Sequence, residues 1–291
     1  MSAENSESEI VQASGAAHGG GGSLVVNATL RSTLTIQHLT SADFFATQAT
    51  DIEDKARADG VMFGDSTYDE IAPRHSAYVI GAVFAAVAFV EAAVNDIFSL
   101  AIDPMYKTDD DYKGTLVEVL TSEARQRFAD AWEEKDPETG HPTGKGLVRE
   151  ANALEKFKQA LKLAGFPLSR AESGGGLYNN VDCLIDFRNY LTHSLPSKTT
   201  YYSEEDRLSD DDRSNKIVKR LHDNGVRESA LGMRERAIVA AQTRYLSADC
   251  AKWAVRSSAG GVLFFHSKLG ITAYNDRLKS LLKNKELAEK R

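Results

Sequence analysis

The stretch AYVIGAVFAAVAFV, residues 77–90, carries no charge from end to end. A helix that is apolar all round has to be covered on every side. The rest of the chain must therefore supply that cover. A membrane span needs about 20 apolar residues, and shorter runs are core helices far more often. Glu91, Asn95 and Asp96 close the run at once. The expectation is a buried helix over about 75–101, ended before Pro104, in a chain that does not enter a membrane.

Flanking segments offer the partners. Residues 40–59 read as a helix capped by Thr40 or Ser41. Residues 113–134 bring Leu116, Val119, Leu120, Phe128 and Trp132 back at helical spacing, and 147–164 do so with Leu147, Leu154, Phe157, Leu161 and Leu163. Further helices are expected at about 177–194 and 228–257, with Gly260 and Gly261 interrupting the last. Trp132 and Trp253 belong to the core, and His222 and His266 have no neighbours of metal-ligating type.

The fold class is all-α, a bundle of four to five core helices. A Ser-, Glu- and Gly-rich disordered leader (1–23) precedes it, and Val, Leu and Thr alternation over 24–37 suggests one or two short strands. The expected division is leader, N-terminal extension (24–74), helical domain (75–260) with an acidic insertion at about 197–227, and a locally basic helical tail (261–291).

With 291 residues, 42% of them hydrophobic, there is enough chain for a sizeable core. A net charge of −7 excludes a wholly basic nucleic-acid coat but not a local basic cleft. Two cysteines, Cys183 and Cys250, fit a reduced cytoplasmic chain. No zinc spacing, HExxH, GxGxxG, G-x-S-x-G or phosphate loop occurs, so no cofactor or metal is expected.

The segment DFRNYLTHSLP, 186–196, sets Arg188, Asn189 and His193 in the last turns of an amphipathic helix. On a helical wheel turning by about 100° per residue, Arg188, Thr192, Asn189, Asp182, His193 and Asp186 follow one another, in that order, round a single polar arc. Tyr190, Cys183, Phe187, Leu191, Leu184 and Leu195 fill the opposite arc. An imidazole can take a proton from a 2′-hydroxyl or return one to a leaving oxygen. A guanidinium can hold a phosphate through two hydrogen bonds and offset the charge of a pentacoordinate transition state. The spacing alone is weak, since chance gives roughly 0.4 Arg-x4-His pairs in such a chain. This pair is the only one present, and Asn follows its Arg directly. The same residues also read as a helix end whose His favours the C-terminal dipole. Arg74 and His75, placed at the start of the long helix, could line an RNA groove.

RNYLTH resembles the Arg, polar residue, x-x-x-His motif of the HEPN superfamily, and HSAYVIGAVFAAVAFVEAAVNDIF (75–98) is similar to the first core helix of such proteins. That helix often carries an acidic residue and an Asn about one turn apart, as Glu91 and Asn95 stand here. The resemblance covers about 75–260. It implies a metal-independent RNA endonuclease that leaves 2′,3′-cyclic phosphate, with a toxin or antiviral defence role. It implies a homodimer whose motif helices meet in a composite site, and an antitoxin or defence partner protein. Arg188 and His193 would be catalytic and Asn189 would assist them. Glu91, Asn95 and Thr192 would be supporting. The acidic insertion departs from the pattern and would repel RNA unless it folds away. Some members of the superfamily bind partners without cutting RNA, so a non-catalytic binding or regulatory module is the alternative.

Overall fold

The computed structural model describes residues 12–14, 27–29, 34–61, 65–102, 118, 120–133, 148, 151–173, 175–193, 212–229, 231, 245–272, 275, 276 and 278–280. Residues 1–34 form one unit and 35–291 a second. In the first, strands β1 (Gln12–Ser14) and β2 (Asn27–Thr29) pair antiparallel, with Gln12 opposite Thr29. The remainder of the expected leader lies outside the described residues. The second unit is helical: α1 (Thr35–Ala58), α2 (Ser66–Ile102), α3 (Ser122–Trp132), α4 (Ala153–Leu163), α5 (Arg170–Ser173), α6 (Gly176–His193), α7 (Asp212–Asp223) and α8 (Ala248–Leu269).

The apolar run forms the centre of α2, as its composition requires. Val79, Val83, Ala86, Val87, Val90, Val94 and Phe98 are buried, and α1, α3, α4, α6 and α8 all pack against this helix. By length and composition α2 is apolar enough to cross a membrane, and half of its most apolar window is buried against the other helices. It begins at Ser66, not at His75 as expected. Pro73 lies inside it, and its ring removes one bond to the carbonyl four residues back. Pro73 and Asp69 are both exposed, so water can serve that carbonyl and the helix continues.

Helix α1 was expected from residue 40 and starts at Thr35. Its buried residues, Thr35, Leu39, Ala42, Ala46, Ala49, Glu53 and Ala56, alternate four and three apart. That is the seam of one helix lying along another, and its alanines permit a close approach. The Thr35 hydroxyl donates to Asp96 Oδ2 at 2.5 Å near one end of α2, and Glu53 meets His75 near the other. The two helices therefore run antiparallel.

Helix α8 differs most from expectation. It runs unbroken through Gly260 and Gly261, is capped by Ser247 and ends at Gly270, whose φ of 73° closes the last turn. The glycines are where α6 crosses: a Cβ on Gly261 would stand 2.2 Å from Val181 Cγ2, and one on Gly260 3.2 Å from Leu177. They mark a close helix contact, not a break. Of the expected tail, Leu278 is buried in the core and residues 281–291 lie outside the described residues.

Thr121 caps α3 by accepting from the Ala124 N–H, so this helix is shorter than the expected 113–134. Asn152 caps α4 in the same way, through the Glu155 N–H, and that helix begins at Ala153 rather than 147. Phe128 and Trp132 of α3 pack on Phe98, with ring centroids 5.2 and 5.1 Å away. Phe157 of α4 stacks on Phe265 at 4.1 Å. Burying one such ring stabilises by about 1.5–3 kcal/mol. An exposed ion pair such as Lys219–Asp223 adds little beside this, because water screens it. The aromatic contacts therefore decide where α3 and α4 sit.

Two outcomes follow. Gly261→Ala drives a methyl into Val181 and should destabilise the chain by about 1–3 kcal/mol in urea unfolding. Adding Val181→Ala should recover part of that loss. Glu53→Ala should cost about 3–5 kcal/mol by the same measurement, because it removes the acceptor from buried donors on two other helices.

Candidate active site on helix α6

Helix α6 lies antiparallel to α8. Tyr178 near its start meets Phe265 near the end of α8, and Leu177 and Val181 lie over the glycine pair. Val181, Cys183, Leu184, Ile185 and Phe187 form its buried side. The polar arc is left between two neighbours. On one edge the Arg188 guanidinium donates from Nη2 to Glu91 Oε1 of α2 at 2.5 Å. On the other edge, Arg220 of α7 donates from Nη1 to Asp186 Oδ2 (2.7 Å) and from Nη2 to Asp182 Oδ2 (2.8 Å). The same Nη2 also donates to the Asn179 carbonyl at 3.0 Å.

Glu91 and Arg188 thus meet. Their side chains are 46% and 26% exposed, so the pair is half in water and is worth about 0–1 kcal/mol. That is enough to orient the guanidinium but little enough to be exchanged for a phosphate. Among the described residues, Nε of Arg188 is buried and has no acceptor. Among the described residues Asn95 forms no hydrogen bond with Arg188 or His193. Its Oδ1 accepts from Lys156 Nζ of α4 at 2.9 Å, and that ammonium lies over the Trp132 ring. The Thr192 hydroxyl donates to the Arg188 carbonyl at 2.9 Å, a bond within the last turn of the helix. Asn189 is partly buried between the two edges, and His193 is exposed as the last residue of α6. Arg188 and His193 stand about 140° apart around the helix and about 7.5 Å apart along it.

His75 does not line a groove. It is 2% exposed, and its Nε2 lies 3.2 Å from Glu53 Oε2. Among the described residues no group of three or more His, Cys, Asp or Glu is placed to hold a metal.

Arg220 was missed in the sequence because it falls within the segment read as an acidic insertion. The available signal was local: Ile217 and Leu221 recur four apart, and an Asn-Gly pair follows. Both residues are buried, and α7 packs on α6. Residues 197–211 of the insertion lie outside the described residues.

The fold and this polar arc define the class: an all-α protein carrying an Arg–Asn–His helix flanked by a carboxylate on one side and a guanidinium on the other. No family model, curated protein or solved structure matches the chain.

Burial pushes the Cys183 thiol behind this helix up to about 12. Arg220 pulls it down, and Asp186 and Asp182 add to the rise. Burial raises the Cys250 thiol as well. Both thiols should resist a disulfide reagent at pH 8 and react fully on unfolding. An unfolded cysteine ionises near 9, while folded Cys183 waits until about 12. Its contribution to stability is thus complete below pH 9 and lost as pH rises through that window. The thermal midpoint should fall more between pH 8 and 10.5 in the wild type than in Cys183→Ala.

Proposed function

We propose that the chain is a metal-independent RNA endonuclease of HEPN type, acting as a toxin or antiviral defence effector in the cytoplasm. The observation that carries this reading is the Arg188 guanidinium, half-buried and oriented by Glu91, with an exposed His193 on the same helix. His193 takes the proton from a ribose 2′-hydroxyl. The 2′-oxygen attacks the adjacent phosphorus, the P–O5′ bond breaks, and the 5′-oxygen leaves with a proton. The products are a 2′,3′-cyclic phosphate and a 5′-hydroxyl. Arg188 holds the phosphoryl oxygens as their charge grows, a task for which guanidinium geometry is suited. Asn189 lies between the two and can orient either the imidazole or the phosphate.

One helix end offers a single imidazole, whereas the reaction needs proton removal and proton delivery. A homodimer bringing two copies of α6 together supplies both, through an isologous interface. An antitoxin or a defence-system protein would restrain or trigger it.

The other reading is a non-catalytic binding or regulatory module. The Glu91–Arg188 pair itself favours it, since the guanidinium already has an anionic partner. Purified wild type and His193→Ala, incubated with total RNA in EDTA, separate the two. The nuclease reading expects cleavage with cyclic-phosphate ends, reduced about 10²–10⁴-fold by the substitution. Full activity of His193→Ala, loss of cleavage in EDTA, or an inert wild type would sink it. Partner capture indifferent to Arg188→Ala, without RNA cleavage, would support the module.

A further inference from the structure

The polar arc of α6 has a charge problem that the nuclease reading leaves open. Asp182 and Asp186 stand one turn apart on it, 47% and 44% exposed. Asp186 is about 10 Å along the helix from His193, near one screening length at physiological salt. Two free carboxylates there would repel a polyanion at the point where it has to lie.

Arg220 answers both. Its guanidinium spans the two carboxylates at 2.7 and 2.8 Å, and its bond to the Asn179 carbonyl fixes it over the first half of α6. It comes from α7, held by the buried Ile217 and Leu221. On the same helix Lys219 is exposed and paired with Asp223, and Lys216 is exposed and also engaged. Neither forms an ion pair with Asp182 or Asp186 among the described residues. The geometry points to Arg220 as a positioning residue. It offsets one of the two negative charges on the acidic edge of α6 and so weakens the repulsion met by the phosphates of a single-stranded RNA running along the arc towards Arg188 and His193. This rests on the ribonuclease reading and extends it: the segment that looked repulsive to RNA supplies the cation that admits it.

The test uses the full-length chain, a fluorescent 2′-O-methyl oligoribonucleotide that cannot be cut, and its unmodified counterpart. At low salt Arg220→Gln should bind the probe about fivefold more weakly, and the difference should shrink as salt rises. Adding Asp182→Asn and Asp186→Asn to Arg220→Gln should restore both binding and cleavage. A purely structural role predicts the reverse, because those changes remove further contacts with α7. With Arg220 intact, Asp182→Asn/Asp186→Asn should bind the probe more tightly than the wild type, a readout independent of whether Arg220→Gln folds. Wild-type affinity in Arg220→Gln, no rescue in the triple variant, or unchanged or weaker binding in the double variant would overturn the role of Arg220. A wild type that binds the probe but leaves the unmodified RNA whole would sink the nuclease reading while the binding results still decide for or against Arg220.

Discussion

A single buried carboxylate joins three helices. Glu53, near the end of α1 and 5% exposed, accepts from the Ala248 N–H at the start of α8 and lies 3.2 Å from His75 Nε2 on α2. A carboxylate at a helix N-terminus meets unsatisfied N–H groups and the positive end of the dipole. In a buried setting that interaction has few competitors from water. Ser247 caps the same helix end, and Arg227 and Asp249 pair beside it. The start of α8 is therefore fixed, and with it the position of Gly260 and Gly261 against α6. The helix that carries Arg188 and His193 is set by that contact, so the geometry of the candidate site traces back to a group well removed from it.

Around α6 the electrostatics are arranged in opposed pairs. Glu91 faces Arg188 on the α2 side, and Arg220 faces Asp182 and Asp186 on the α7 side. Each pair is partly exposed, so none is a strong source of stability. What they control is the direction and net charge of the side chains that an anionic ligand would meet. Asn189 and His193 lie between them, engaged by neither. Aromatic packing fixes α3 and α4 at the far end of α2, where the Lys156 ammonium of α4 donates to Asn95 Oδ1.

Much of this was readable from residue pattern. The uncharged run had to be a central helix, and the helical spacing located α6 closely and found α3 and α4, whose caps at Thr121 and Asn152 start them later than the spacing implied. The errors have physical causes. Pro73 was tolerated because the carbonyl it leaves open faces water. Gly260 and Gly261 looked like a break because intrinsic propensity disfavours glycine in helices, yet an approaching helix can demand it. The segment 197–227 looked uniformly acidic because averaging over it hid the Ile217–Leu221 spacing of a short amphipathic helix.

Sequence by itself determined that the chain is helical, that α2 lies at its centre, and that Arg188, Asn189 and His193 share the polar arc of one helix. Those follow from local periodicity and from the need to cover an apolar run, which act over a few turns of chain. Tertiary structure alone decided that Glu91 and not Asn95 meets Arg188, that His75 is buried against Glu53, and that Arg220 offsets Asp182 and Asp186. Polar side-chain contacts between residues 22 to 97 positions apart leave no periodic trace. Their partners are chosen by how the helices pack.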